Sequence, residues 1–245
     1  MKVAGARVLV VGGVHRLGRV LALDLAGHGA AVVVSSRTAG EAAGVQVAAL
    51  RSAGAPGAAM IAGDVRRPAD AARLVAGAET ALGGLDALVY AASGPFTPQP
   101  PQEIDEASWD ASMDTIAKGF FFTACAARER LAPGGAIVAI TDYLGVQPWA
   151  TFAAHGAAKA AEIHLVKELA RAWAPDGVRV CGVAPGPVDL EDDEHRAATL
   201  RAAARVAVER LVTPADVGAA VRFCLETEGV TGANVAVDNG SLVMS

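Results

Sequence analysis

The sequence of 245 residues is poor in aromatic side chains, which make up 4% of it, and it has three cysteines. With so few rings, a core must be filled by Ala, Val and Leu, which suits Val-rich parallel strands covered by Ala-rich helices. Cys125, Cys181 and Cys224 form no CxxC pair and no cluster with histidine, so we expect no disulfide framework and no metal site. Reduced thiols of this kind are typical of a cytoplasmic protein.

The chain also lacks a basic character and a long apolar run. A net charge of -5 argues against a nucleic-acid partner, which usually requires a basic patch. We expect no membrane span and, because a strand pattern begins close to Met1, no leader peptide. Hydrophobic residues make up 53% of the chain, and no linker, repeat or low-complexity tail divides it. These features predict one domain over residues 1–245.

Short Val- and Ile-rich runs alternate with longer Ala-rich stretches. The predicted strands are Arg7–Gly12, Ala31–Ser36, Ala58–Ala62, Ala87–Ala91, Ala136–Thr141, Arg179–Val183 and Asn234–Val237. The predicted helices are Leu17–His28, Gly40–Ala53, Ala69–Leu82, Ser108–Leu131, Thr151–Ala174 and Pro214–Thr227. This alternation predicts an α/β fold, a single-domain Rossmann-type, doubly wound parallel sheet with helices on both faces.

Two stretches break the alternation, Ser93–Pro101 and Gly186–Ala204, and each follows a predicted strand. Ligands of open α/β sheets bind at the carboxyl ends of the strands, where such loops are often lids. Ordinary surface loops are the alternative. The acidic run Glu191–Glu194 in the second stretch is better explained as a solvated helix start than as a metal cluster.

The first predicted strand runs into the glycine-rich segment Gly12–Gly18, GGVHRLG, and then into a helix. Glycines there permit a tight turn and a close approach to a pyrophosphate, which the helix N-terminus attracts. The usual GxGxxG spacing is absent, so a plain strand-to-helix turn stays open as an alternative.

The end of the second strand, Ser35-Ser36-Arg37, indicates which cofactor is preferred. An acidic residue here would bind the ribose 2′-hydroxyl of NAD, whereas Ser36 and Arg37 would bind the 2′-phosphate of NADPH. Arg16 could add a second positive charge, and a solvated Arg37 is the alternative. Asp64 could accept a hydrogen bond from the adenine amino group or cap the following helix.

The order and spacing of several motifs resemble those of the short-chain dehydrogenase/reductase family over essentially the whole chain. The motifs are the glycine turn, Asp64-Val65, LVYAASG (Leu88–Gly94), WDASMDTIAKGFF (Trp109–Phe121), His155–Lys159, VAPGPV (Val183–Val188) and VTGANVAVDNG (Val230–Gly240). Within the family the chain is most similar to the pteridine reductase-like branch, through Arg16, Ser93 and Asp142. The resemblance implies a homotetramer or homodimer built on the two long helices.

The resemblance also implies a set of NADPH/NADP-binding residues. They are Gly12, Val14, His15, Arg16, Leu17, Ser36, Arg37, Asp64, Val65, Ala91, Ala92, Ser93, Lys159, Pro185, Gly186 and Val188. Ser93, Phe96, Tyr143 and Trp149 are expected to contact a small-molecule substrate. Trp149 and Phe152 could form an aromatic wall for a flat substrate, although core packing is an alternative for Phe152. Tyr143 either projects into the site or packs under its loop.

The family's catalytic tetrad of Asn, Ser, Tyr and Lys is degenerate here. Ile116 stands at the Asn position, Asp142 at the Ser position and His155 at the Tyr position, and Lys159 alone is kept. Histidine titrates near neutrality and can serve as a general acid, and Asp142 could orient it. Lys159 is expected to hold the nicotinamide ribose.

Three hypotheses follow for the function. The first is an NADPH-dependent reductase of a small carbonyl or C=N (pterin-like) substrate, with the catalytic residues Asp142, His155 and Lys159. The second is a degenerate NADP(H)-binding sensor or scaffold, because three of four tetrad residues are lost. The third is a non-redox enzyme that uses the Asp142–His155 pair as an acid or base.

Overall fold

The computed structural model describes residues 1–190, 207–208 and 210–243, and in them seven strands form one parallel sheet. The strands are β1 (Arg7–Val11), β2 (Ala31–Ser36), β3 (Ala58–Ala62), β4 (Leu85–Tyr90), β5 (Leu131–Ile140), β6 (Arg179–Pro185) and β7 (Asn234–Val237). Their order is β3-β2-β1-β4-β5-β6-β7, with every pair parallel. This confirms the predicted doubly wound α/β fold.

Helices cover both faces of the sheet. They are α1 (Arg16–Gly27), α2 (Glu41–Ser52), α3 (Pro68–Leu82), α4 (Glu106–Met113), α5 (Gly119–Arg128), α6 (Ala153–Trp173) and α7 (Pro214–Glu226). Because side chains alternate along a strand, Val8 and Val10 of β1 pack with α1 and α7. Leu9 and Val11 pack on the other face with α3, α5 and α6. The apolar strands are therefore buried on both sides, as parallel strands usually are.

The predicted helix Ser108–Leu131 and the predicted strand Ala136–Thr141 are wrong at the boundary between them. The helix ends at Arg128, and β5 begins at Leu131, which pairs with Leu85. Leu131 completes an apolar helical pattern, but Pro133 cannot continue a helix. The pairing register then shifts between Leu85 and Ala87, so the strand includes a segment that resembles a turn in the sequence.

The same predicted helix is not regular along its length. A π-helical turn over Asp114–Lys118 joins α4 to α5. Such turns insert one extra residue into a helix and occur often at functional sites. This turn places the Thr115 carbonyl within hydrogen-bonding reach of the Tyr90 hydroxyl at the end of β4.

The two predicted loops differ in how far the structure describes them. Residues 91–100 contain no regular helix or strand, as expected for the first loop. Most of the second stretch, including the acidic run Glu191–Glu194, lies outside the described residues. No helix among the described residues is long and apolar enough to cross a membrane. All three cysteines carry free thiols.

Candidate active site

A cavity of about 870 Å³ opens at the carboxyl ends of the strands. It lies where β1 and β4 are neighbours and the chain leaves them toward opposite faces of the sheet, which is the usual ligand position in this fold. Predicted site residues that line it are Gly12, His15, Arg16, Leu17, Ser36, Arg37, Asp64, Val65, Ala91, Ala92, Ser93, Phe96, Asp142, Tyr143, Trp149, His155, Lys159, Pro185, Gly186 and Val188. Val14 differs, because it is buried in the core beneath the turn.

The glycine turn is packed so tightly that side chains would not fit. Gly12 has a φ of +76°, and a Cβ there would lie 2.9 Å from the Ala92 nitrogen. A Cβ on Gly18 would overlap the Gly12 carbonyl. Helix α1 begins at Arg16, and its N-cap residue His15 makes no side-chain capping hydrogen bond. Close backbone and an uncapped helix start form a suitable cradle for a pyrophosphate.

Positive side chains surround the cavity beside this turn. Ser36 is the last residue of β2 and Arg37 follows it, and both line the cavity with His15 and Arg16. Arg37 is exposed, and no carboxylate stands at the end of β2. This end therefore has the charge and the hydroxyl expected of a 2′-phosphate site.

Asp64 is held by Arg66, a cavity residue that the sequence analysis missed. The guanidinium of Arg66 donates to both carboxylate oxygens, with Nη2 2.6 Å from Oδ2. These hydrogen bonds lower the pKa of Asp64. Asp64 does not cap α3, whose N-cap is Arg67 without a side-chain cap. The Asp-x-Arg spacing is a signal that could have indicated the pair.

Asp142 and His155 meet at the wall of the cavity. Asp142 follows β5, and its Oδ1 accepts a hydrogen bond of 2.9 Å from the Leu144 N–H. His155 lies in the first turn of α6, and its Nε2 is 3.1 Å from Asp142 Oδ2. His155 is 5% exposed and Asp142 20% exposed, so the imidazole is buried and the carboxylate keeps partial access to the cavity. The backbone N–H fixes the carboxylate, and the carboxylate in turn fixes the imidazole.

Lys159 lines the cavity, and two short hydrogen bonds fix the position of its ammonium group. Its ammonium donates to the Ile140 carbonyl at 2.6 Å and to Glu162 Oε2 at 2.9 Å. Glu162 is fully buried, and the sequence analysis missed it. The spacing of His155, Lys159 and Glu162, at i, i+4 and i+7, places all three on one helix face and is the signal that could have found it.

The environment of Glu162 opposes its ionisation. Burial raises the pKa of Glu162 to about 7, although the charge and hydrogen bond of Lys159 lower it. Asp142 adds a further raising effect through its negative charge. The carboxyl group beneath the site therefore titrates near neutral pH.

Tyr90, the last residue of β4, does not line the cavity. Its hydroxyl donates to the Thr115 carbonyl, and its ring packs edge-on against Phe120. A Cβ on Gly119 would overlap that hydroxyl, so glycine makes room for the tyrosine. Burial raises the pKa of Tyr90 well above its usual value, and the hydroxyl stays protonated.

Aromatic rings form one wall of the cavity next to His155. Phe96 stacks on Phe152 with ring centroids 4.5 Å apart and meets the His155 ring edge-on at 4.9 Å. Tyr143 is buried and contacts Trp149 at 5.8 Å, edge to face. Tyr143 both lines the cavity and packs under its loop, so the two alternatives for this residue are compatible. Among the described residues, no group of three His, Cys, Asp or Glu side chains is gathered for a metal ion.

A parallel sheet of this order, a glycine turn after its first strand and a cavity at the carboxyl ends of its strands define a dinucleotide-binding α/β protein. The sequence matches the family described as enoyl-(acyl carrier protein) reductase over residues 13–241. It is 34% identical over 238 residues to cis-4-hydroxycyclohexanecarboxylate dehydrogenase of Sinomonas cyclohexanicum, which covers 95% of this chain and 94% of that protein.

Solved structures are similar over nearly the whole chain. A short-chain dehydrogenase from Burkholderia cenocepacia J2315 in complex with NADP superposes with a TM-score of 0.90 at 29% identity, covering 99% of this chain and 100% of that one. A blue fluorescent protein from a metagenomic library, in complex with NADPH, superposes with a TM-score of 0.88 at 27% identity and covers 98% and 99%. The chain therefore belongs to the short-chain dehydrogenase/reductase family, a family of oxidoreductases.

Proposed function

We propose that the chain is an NADPH-dependent reductase of a small carbonyl or C=N substrate, with Asp142, His155 and Lys159 as its catalytic residues. The observation that carries the proposal is the hydrogen bond between His155 Nε2 and Asp142 Oδ2, 3.1 Å long. Asp142 and His155 line the same cavity as the glycine turn does. When bound there, the nicotinamide cofactor supplies the hydride, and the protein has to supply the proton.

The imidazole of His155 is placed to hold that proton. The carboxylate of Asp142 lies 3.1 Å from Nε2, where it accepts the proton that this ring nitrogen carries and fixes the orientation of the ring. The other ring nitrogen, Nδ1, is buried and has no hydrogen-bond partner in the described structure. The ring proton that a substrate can reach therefore lies in the Nε2–Asp142 hydrogen bond, and a substrate heteroatom takes it there, in the place of the carboxylate oxygen.

Tyr143 is a poorer proton donor than His155, although it lines the same cavity. Burial raises the pKa of Tyr143 above its usual value, and the charges of Asp142 and Asp238 raise it further. A phenol in that surrounding holds its proton tightly near neutral pH. The tyrosine of this loop does not replace the missing family tyrosine.

The charge of Asp142 favours a C=N substrate over a ketone. A ketone develops negative charge on oxygen during reduction, and an ionised carboxylate beside it is repulsive. A pterin-like substrate carries N–H groups that can donate to the carboxylate. The rings of Phe96, Trp149 and Phe152 offer such a flat molecule an aromatic wall. This preference accords with the proposed likeness to the pteridine reductase branch.

The proposal is tested by calorimetric titration with NADPH and NADH, followed by a screen of carbonyl, imine and pterin compounds for NADPH consumption. Selective NADPH binding and turnover of a C=N compound support it. Binding of neither cofactor overturns the reductase assignment in favour of chemistry without a cofactor.

Replacing Arg37 with alanine is expected to weaken NADPH binding by about 10- to 150-fold, since a charge-assisted hydrogen bond contributes about 1.5–3 kcal/mol. The affinity for NADH should not change, because NADH has no 2′-phosphate. The matched control is Arg51→Ala, an exposed arginine of α2 outside the cavity. Calorimetry measures both affinities, and equal losses for NADPH and NADH in Arg37→Ala would contradict the assigned role.

We also propose that the chain assembles into a cytoplasmic homodimer or homotetramer through its long helices. Trp109 on α4 is 42% exposed and Phe122 on α5 is 38% exposed, and an interface there would bury both rings. Analytical ultracentrifugation should give a mass two or four times 24.7 kDa, and Phe122→Asp should shift it toward the monomer. A monomeric wild-type protein at every concentration would rule the assembly out.

A further inference from the structure

One face of α6 carries three buried titratable side chains in a row: His155, Lys159 and Glu162. His155 and Lys159 line the cavity, whereas Glu162 lies behind Lys159 and does not. Glu162 is 0% exposed, and one of its oxygens, Oε1, has no partner in the described structure. Because Glu162 cannot touch a substrate, any effect on the reaction must pass through Lys159.

A carboxyl group in this position is costly, since burial disfavours its charged form. The pKa of Glu162 is raised to about 7 by that burial, against the lowering effect of Lys159. Its partner Lys159 is buried as well, and the ammonium would lose its ion-pair partner if the carboxylate were absent. Packing alone therefore does not explain why a carboxylate is buried at position 162.

The charges along the site indicate that role. A protonated imidazole next to the ammonium of Lys159 is disfavoured by like-charge repulsion. Asp142 pairs with His155, and Glu162 pairs with Lys159. The ionised series alternates in sign, with a net charge of zero.

We propose that Glu162 is a positioning residue, which holds the Lys159 ammonium against the Ile140 carbonyl and cancels its charge, so that His155 can hold the proton used in reduction. The last clause rests on the proposed function, whereas the effect of Glu162 on His155 does not. An uncancelled lysine charge would favour the ionised form of a tyrosine at position 155, but it disfavours the protonated form of a histidine. Glu162 thus compensates for the exchange of tyrosine for histidine.

Among the residues that the structure describes, Asp142 and Tyr90 are the other groups with a bearing on this balance. Asp142, which follows β5, faces both His155 and Glu162. Tyr90 of β4 lies near Glu162, but its hydroxyl stays protonated and adds no charge. The balance at His155 therefore depends on Asp142, Lys159 and Glu162.

The test measures the protonated fraction of the His155 ring by NMR of the full-length protein labelled with ¹³C-histidine. The His155 signal is assigned by its absence from the spectrum of His155→Phe. In Glu162→Gln, which keeps the shape and removes the charge, the protonated fraction at about pH 7.5 should fall at least about threefold. In the double variant Glu162→Gln/Lys159→Met it should return to within about twofold of wild type, because both charges are gone. Circular dichroism checks that each variant is folded.

Lys159→Met provides a second test that does not depend on Glu162→Gln. Without the ammonium the pKa of Glu162 rises further and the carboxyl takes up a proton, so both charges are lost together and the protonated fraction should change by less than about twofold. A rise of about threefold or more in this variant would overturn the proposal, as would an unchanged fraction in folded Glu162→Gln. Neither measurement uses a substrate, so a failure of this inference is distinct from a failure of the reductase assignment, which turnover tests.

Discussion

His155→Phe is expected to lower turnover by about 10²- to 10⁴-fold, the usual contribution of a positioned general acid. Phenylalanine keeps the aromatic contact with Phe96 but has no proton to give. NADPH affinity should stay within about twofold of wild type, because the glycine turn and Arg37 are untouched. Turnover is measured as NADPH consumption with whichever substrate the screen identifies.

The matched control for this experiment is His164→Phe. His164 lies on the same helix but is exposed, beside Glu168, so the identical chemical change there should leave turnover unaltered. Undiminished turnover in His155→Phe would show that His155 is not the acid. Tight NADPH binding without turnover of any compound by the wild type would instead favour the sensor or scaffold hypothesis.

Much of the fold could be predicted because its signals are local. Ala31–Ser36, Ala58–Ala62 and Asn234–Val237 coincide with the observed strands, since turns or helices with clear signals flank each of them. The start of β5 could not be predicted in this way. Leu131 belongs to the strand because Leu85 of a neighbouring strand pairs with it, and that partner is distant in the sequence.

The candidate site likewise contains residues that short motifs predict and residues that only the packing reveals. Residues predicted from short motifs, such as Gly12 and Arg37, line the cavity, because a strand end fixes where they lie. Val14 lies in the same motif as Gly12 but is buried in the core. The motif alone does not show which of its residues are buried. Glu162 was missed because it resembles a solvated helix residue until the packing of α6 is known.

The buried carboxyl of Glu162 should make the stability of the protein depend on pH in an unusual direction. Its pKa is about 7 in the folded protein and 4.5 as an ordinary glutamate. A raised folded pKa means that its contribution to stability is fully present below pH 4.5 and is lost as the pH rises through about 7. At roughly 1.4 kcal/mol per pKa unit, the loss is on the order of 3 kcal/mol.

Glu162→Gln removes this titration and leaves the rest of the chain unchanged. The free energy of unfolding of wild type minus that of the variant should therefore fall by about 3 kcal/mol between about pH 4.5 and pH 7.5. Urea unfolding followed by tryptophan fluorescence measures both proteins at each pH. A difference that stays constant over this range would contradict the assigned environment of Glu162.

Lys159→Met gives the complementary result. Because the ammonium lowers the pKa of Glu162, its removal should extend the loss of stability to higher pH. Wild type therefore ionises Glu162 near neutrality only because Lys159 is present, and the burial of that ionised carboxylate costs folding stability there. A charge kept at the expense of stability, about two helical turns from the proposed proton donor, is what a site under functional constraint should contain.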